Sequence, residues 1–215
     1  MVNLEYQKKY FENHQAKLYD YGNIKVLDFK NPKSNVYRIR FIFEEDYCRL
    51  HISGDLGELI ACNYYNMTFD KFYDFVDNVG YFEGKIECHS RKLYYYDEDR
   101  AREELRKYLY DNELVEEIVE DSSHIYEESE EEIINEFVDD VMESFDNEHG
   151  ISVEGCELVA NYFGDAYEDC YYFGKERTGI IELYLFAFRL AMKQLKENGY
   201  DEFRKRETKN QSDVS

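Results

Sequence analysis

The chain has 215 residues, 43% of them hydrophobic and 17% aromatic, with 22 Tyr, 15 Phe and no Trp. That is enough apolar material for a packed core and excludes disorder throughout, while no apolar run approaches the roughly 20 residues that cross a bilayer. Its 48 acids outnumber 26 bases, and the resulting charge of −22 opposes binding to nucleic acid or to anionic membranes unless the bases cluster.

Asn3 is a candidate cap for a first helix carrying Leu4, Tyr10, Phe11 and Leu18, ended by Gly22. Ile24, Val26, Leu27 and Phe29 read as a strand, followed by loop residues 31–35. Residues 36–43 place Arg38 and Arg40 among β-branched and aromatic residues. Residues 47–53 alternate Cys48, Leu50 and Ile52 with Arg49 and His51, and residues 58–64 return after a tight turn at 54–57. These predict an antiparallel meander. Thr68 then caps an expected helix with Phe69, Phe72, Tyr73 and Val76 inward, stopped by Asn78 and Gly80. Residues 84–89 read as an edge strand. Residues 97–110 predict a helix with Asp97, Glu98 and Asp99 at its positive end and Arg106 and Lys107 near its negative end.

Residues 108–174 hold 22 Asp and Glu and no Lys or Arg, so the rest of the chain balances at 26 acids and 26 bases. Inside this window Leu114, Val115 and Ile118 mark a short helix interrupted at Ser122 and Ser123. From 130 to 145, Ile133, Ile134, Phe137, Val138, Val141, Met142 and Phe145 repeat at helical spacing, with Glu132, Glu136, Asp139, Asp140 and Glu143 opposite. Gly150 ends that helix. Residues 153–163 predict another with Leu158, Val159 and Tyr162 inward, and 164–174 is Tyr-rich and loop-like. Residues 178–195 are apolar nearly all round, as a helix buried between other elements and tying the acidic half to the sheet would be. The expected fold is α+β, an N-terminal antiparallel β-meander with helices followed by an acidic helical half. Residues 1–107 form its α+β domain, 108–200 an acidic helical region docked on it, and 201–215 a flexible tail.

Little of this carries catalytic chemistry. Cys48, Cys62, Cys88, Cys156 and Cys170 lack CxxC spacing, which predicts reduced thiols in the cytoplasm, and the first residues lack the apolar core of a signal peptide. Cys88 and His89, with His51, Cys48 and Cys62 elsewhere, lack the paired spacing of a zinc site. No segment alternates oxygen ligands around a Gly turn as calcium requires. Neither metal nor other cofactor is expected. Glu83 and Lys85 with Asp74 or Asp77 upstream sketch a metal-dependent phosphodiesterase, but a solvated strand is the commoner meaning of such a tripeptide. Residues 53–57 lack the Lys and Ser/Thr that complete a phosphate loop. Arg38, Arg40, Arg49 and His51, interleaved with Tyr37 and Tyr47, are residues that an RNA-binding sheet would use. Pairing with the protein's own acids is the favoured reading of those arginines. The chain is expected not to be an enzyme.

The acidic window is different. Solubility is ordinarily served by interspersed charges of both signs, whereas excluding bases over 67 residues costs self-repulsion without improving a core. Carboxylates one turn apart on a helix recur about every 5–6 Å, and each strand of duplex DNA carries a phosphate per roughly 3.4 Å. An ordered anionic helix therefore imitates a strand backbone. The candidate partner-binding residues are Glu132, Glu136, Asp139, Asp140 and Glu143, adjoined by Glu127, Glu128 and Glu131.

Arg49-Leu50-His51-Ile52-Ser53-Gly54-Asp55-Leu56-Gly57-Glu58, followed by Phe69-Asp70-Lys71-Phe72, resembles small proteins carried by phages and mobile elements of low-GC Gram-positive bacteria, over the first half of the chain. With the acidic second half, the chain looks like the anti-defence inhibitors of phages, such as anti-CRISPR proteins, many of which are acidic and compete with DNA. The resemblance supplies no catalytic residues. It implies an inhibitor in the host cytoplasm whose partner is a basic nucleic-acid-binding protein, with no nucleic acid or membrane bound directly. The alternatives are an acidic adaptor without mimicry, and a metal-dependent hydrolase acting from Asp77, Glu83 and Lys85. The sequence leaves the oligomeric state open.

Overall fold

The structure is a computed structural model that describes residues 4–122 and 129–200. The chain divides into two compact units, Met1–Leu93 with Gly179–Ser215, and Tyr94–Thr178. Composition alone placed the boundaries at 107/108 and 200/201. The structural division moves 94–107 into the acidic unit and the last helix into the other.

In unit 1, β1 (Gln15–Asp20), β2 (Ile24–Lys30), β3 (Ile39–Glu44), β4 (Arg49–Gly54), β5 (Gly57–Cys62) and β6 (Ile86–His89) form one antiparallel sheet in sequence order. The expected α+β architecture, a meander followed by helices, is present. Period-two alternation sends Leu27, Phe29, Ile39, Phe41, Phe43, Leu50, Ile52, Leu59 and Ala61 to one face, each at most 1% exposed. That face is covered by α8 (Ile180–Glu197), which also packs on α1 (Leu4–Phe11) and α2 (Val79–Glu83). Phe188 of α8 sits 4.8 Å from Phe72, 5.4 Å from Phe41 and 6.0 Å from Phe43 and Phe69, ring centre to ring centre. Burying such a ring contributes about 1.5–3 kcal/mol. The broad apolar surface of α8 is thus used within unit 1, and Gln194 pins it to the start of β1 and the residue before it. Its Nε2 donates to the His14 carbonyl at 2.8 Å, and its Oε1 accepts from the Ala16 N–H at 2.9 Å.

Two expectations in this unit fail for physical reasons. The first helix stops at Phe11, and Leu18 belongs to strand β1, because residues 15–20 gain a full ladder against β2, from Gln15 opposite Lys30 to Asp20 opposite Lys25. The helix expected after Thr68 is a single 3-10 turn at Phe72–Phe75. Phe69, Phe72 and Phe75 are all fully buried while Tyr73 is 39% exposed. A three-residue period is the 3-10 repeat, not the α repeat. Asn78 opens a helix instead of stopping one: its side chain accepts from the Tyr81 N–H and caps α2.

Unit 2 contains α3 (Glu98–Asp111), α4 (Leu114–Ser122), α5 (Glu130–Met142), α6 (Val153–Ala160) and α7 (Ala166–Cys170). One core joins them, including Ala101, Leu105, Leu109, Ile118, Ile134, Val138, Val141, Cys156, Val159 and Cys170. A two-stranded ladder of β7 (Tyr94–Tyr96) and β8 (Lys175–Arg177) closes its ends. Neither strand was expected, since three residues are too few to show a period. Alongside the ladder the Asp97 N–H donates to the Gly174 carbonyl at 2.9 Å. Gly174 has φ +73°, and a Cβ there would stand 2.8 Å from that of Ala101, so glycine is required. Residues 166–170, expected as loop, form α7, and Leu158, expected inward, is 37% exposed. Divided this way, unit 2 has 28 acids and 6 bases and unit 1 has 20 of each. The whole net charge still belongs to one unit.

Candidate partner-binding face

Helix α5 is started by a capping box. The Glu132 N–H donates to the Ser129 hydroxyl oxygen at 3.4 Å, and the Ser129 N–H donates to the Glu132 carboxylate at 2.9 Å. These bonds from Ser129 hold the Glu132 carboxyl below its ordinary range. Ile133, Ile134, Val138, Val141 and Met142 are buried in the unit's core, which fixes the rotation of the helix. Glu131, Glu132, Glu136, Asp139, Asp140 and Glu143 are then exposed, as expected. Glu132, Glu136, Asp139 and Glu143 fall at three- and four-residue steps, a line of carboxylates recurring about every 5–6 Å. Glu127 and Glu128 lie outside the described residues.

The structure sorts these acids in a way their spacing does not. Asp139 accepts from Arg102 Nη1 at 2.5 Å, and Arg102 also reaches Glu98 at 3.2 Å. Glu132 is engaged in its own cap. Glu136, Asp140 and Glu143 carry no base partner among the described residues. Asp140 and Glu143 line a cavity of about 290 Å³, where α6 contributes Glu154, Glu157 and Leu158. Glu154 and Glu157 were not singled out from sequence, although they sit three apart on a helix inside the window that lacks bases. What placed them beside α5 is Gly155, whose missing side chain lets α6 meet the Val141 carbonyl directly.

Four of the six bases of unit 2, Arg102 among them, make internal contacts. Arg100 pairs with Glu104 at 2.7 Å and with Glu176, Arg106 Nη2 donates to Asn135 at 2.8 Å, and Lys175 lies over the Tyr94 ring at 4.3 Å. They stabilise the scaffold and leave Glu136, Asp140, Glu143, Glu154 and Glu157 without a base partner among the described residues. No protein-family model, curated protein or solved structure matches this chain.

The other candidates are placed as follows. Asp77 pairs with Arg189 at 3.2 Å, and the Lys85 ammonium lies 4.9 Å from the Tyr81 ring centre. Among the described residues, no three His, Cys, Asp or Glu side chains are grouped to hold a metal ion. On the sheet, Arg40 pairs with Asp28, and Arg49 and His51 both approach Glu44, at 3.8 and 3.3 Å. Cys156 and Cys170 are buried core residues of unit 2, and all five cysteines are free thiols. None of the described helices is long and apolar enough to cross a membrane.

Chemically, a concave anionic site of this size suits a Lys or Arg side chain inserted between Asp140 and Glu143 on one wall and Glu154 and Glu157 on the other. The line along α5 continues the same anionic character beyond the cavity. The surrounding single-sign field accelerates encounter with a cationic surface and is screened by salt.

Proposed function

We propose that this chain is a phage-type, non-enzymatic inhibitor that binds a basic nucleic-acid-handling protein of the host cytoplasm, such as a CRISPR nuclease, by presenting carboxylates in place of DNA phosphates. The observation that carries this reading is the pairing pattern of unit 2. Arg100, Arg102 and Arg106 are spent on internal contacts, while Glu136, Asp140 and Glu143 at α5 and Glu154 and Glu157 on α6 remain open. A surface kept anionic merely for solubility has no need of an ordered line set by a capping box and a buried stripe. A groove that binds DNA presents cations at phosphate spacing, and a rigid helix answers it without paying the ordering entropy of a disordered acidic tail.

The test is competition. Purified protein added to a CRISPR nuclease or comparable basic enzyme displaces labelled duplex DNA, with an apparent affinity that falls as salt rises. Glu136→Lys, Asp140→Lys and Glu143→Lys together abolish displacement while the far-ultraviolet circular dichroism spectrum is retained. Tight binding to the partner that leaves its DNA affinity untouched would instead favour an adaptor.

A further inference from the structure

A second site is suggested by charges that unit 1 leaves unbalanced locally. On the sheet face opposite the buried one, a cleft of about 330 Å³ is lined by Asp28, Lys30, Arg38, Arg40, Ser53 and Glu58. That volume is at the small end of the range for small-molecule sites, roughly 300–1,000 Å³. Its floor is built: Asp28 is only 5% exposed and takes Arg40 in a two-point bond, Nε to Oδ1 at 2.5 Å and Nη2 to Oδ2 at 2.9 Å. A guanidinium carries more N–H donors than this pair consumes, and the Arg40 side chain is half exposed. The buried carboxylate therefore fixes the plane of a guanidinium whose remaining donors are available to a ligand.

Two further cations join it. Lys30, the last residue of β2, and Arg38, the residue before β3, both line the cleft. Like charges brought together in one cleft repel each other. Among the described residues neither has a carboxylate partner. An anion between them removes the repulsion. Ser53, paired with Arg40, adds a hydroxyl, and Glu58, paired with Ser53, closes the row with an acceptor.

We propose that this cleft binds the phosphomonoester group of a small molecule, with Lys30, Arg38 and Arg40 on the phosphate and Glu58 accepting from a hydroxyl or amino group of the same ligand. A dianion suits two unpaired cations beside an oriented guanidinium. A running phosphodiester chain suits the cleft less well, because Glu58 stands where the next phosphate would lie. The site is contained in unit 1 and is independent of the acidic face.

Isothermal titration of the full chain with inorganic phosphate in low chloride tests this. Saturable binding is expected, weakened about tenfold or more in Lys30→Ala and in Arg38→Ala. Both exposed substitutions keep the Asp28–Arg40 pair, so an unchanged thermal midpoint shows that the fold is intact. No saturation up to about 10 mM phosphate overturns the proposal, as does wild-type affinity in both variants. A 5′-hydroxyl oligodeoxynucleotide that binds the cleft more tightly than inorganic phosphate makes it a nucleic-acid surface, and overturns it too.

Discussion

Gly155 lies flush against the Val141 carbonyl, so close that a methyl group on its Cα would overlap the oxygen and stand 2.8 Å from Ile151 Cγ2. This crossing seats α6 on α5 and brings Glu154 and Glu157 to the cavity that Asp140 and Glu143 share. Gly155→Ala pushes the helices apart. We expect a loss of about 1–3 kcal/mol, read as a lower urea midpoint, together with weaker partner binding than the stability loss alone explains.

Arg102 is the base that most directly neutralises α5, through Asp139. Its pair is largely exposed, with the Asp139 side chain 67% accessible, so Arg102→Ala should cost no more than about 1 kcal/mol. The same change frees Asp139. Stopped-flow association with the proposed basic partner should then be faster at low salt and indistinguishable from wild type at high salt. A slower association would mean that Arg102 itself contacts the partner.

His14 gives unit 1 a predictable response to pH. It is 3% exposed between Phe11 and Phe29, with ring centres 5.1 Å away on each side, and its Nε2–H donates to the Tyr37 carbonyl at 3.1 Å. Burial lowers its pKa from the ordinary 6.5. The fold thus holds it neutral while the unfolded chain takes up a proton below that value. Its contribution is complete above pH 6.5 and shrinks as pH falls below it. His14→Phe should remove this component, so urea midpoints measured from pH 7.5 to 5.5 fall less steeply in the variant. Identical slopes would refute the assignment.

Asp28 depends on Arg40 for both of its oxygens. Arg40→Ala leaves a buried carboxylate without its partner and should cost about 1–3 kcal/mol. Replacing both residues, as Asp28→Leu with Arg40→Met, should recover most of that loss, since a buried pair is often matched by apolar residues of similar size. Thermal melts of the two single variants and the double variant measure the coupling.

Much of the architecture was legible in the chain because periodicity reports which face of an element is wet. The alternation of Leu50 and Ile52 with Arg49 and His51 located β4, and Ile133 to Met142 located α5. Where local pattern and partner disagreed, pattern misled. Leu18 looked helical until the ladder with Leu27 claimed it. Phe69, Phe72 and Phe75 carry the three-residue repeat that marks the 3-10 turn, but Tyr73 and Val76 made it read as α-helical spacing. Residues 94–96 and 175–177 had no signal, because each is a strand only by virtue of the other.

What the sequence by itself determined is the segregation of charge and the amphipathic form of α5. Both are properties of one stretch, readable from residue type and spacing alone. The tertiary structure decided which carboxylates remain available. Arg102 reaches Asp139 across 37 residues of chain, and Glu154 and Glu157 join Asp140 and Glu143 only because Gly155 permits the helices to touch. Coulomb pairing and close packing act through space, so neither is encoded in the period of a single element.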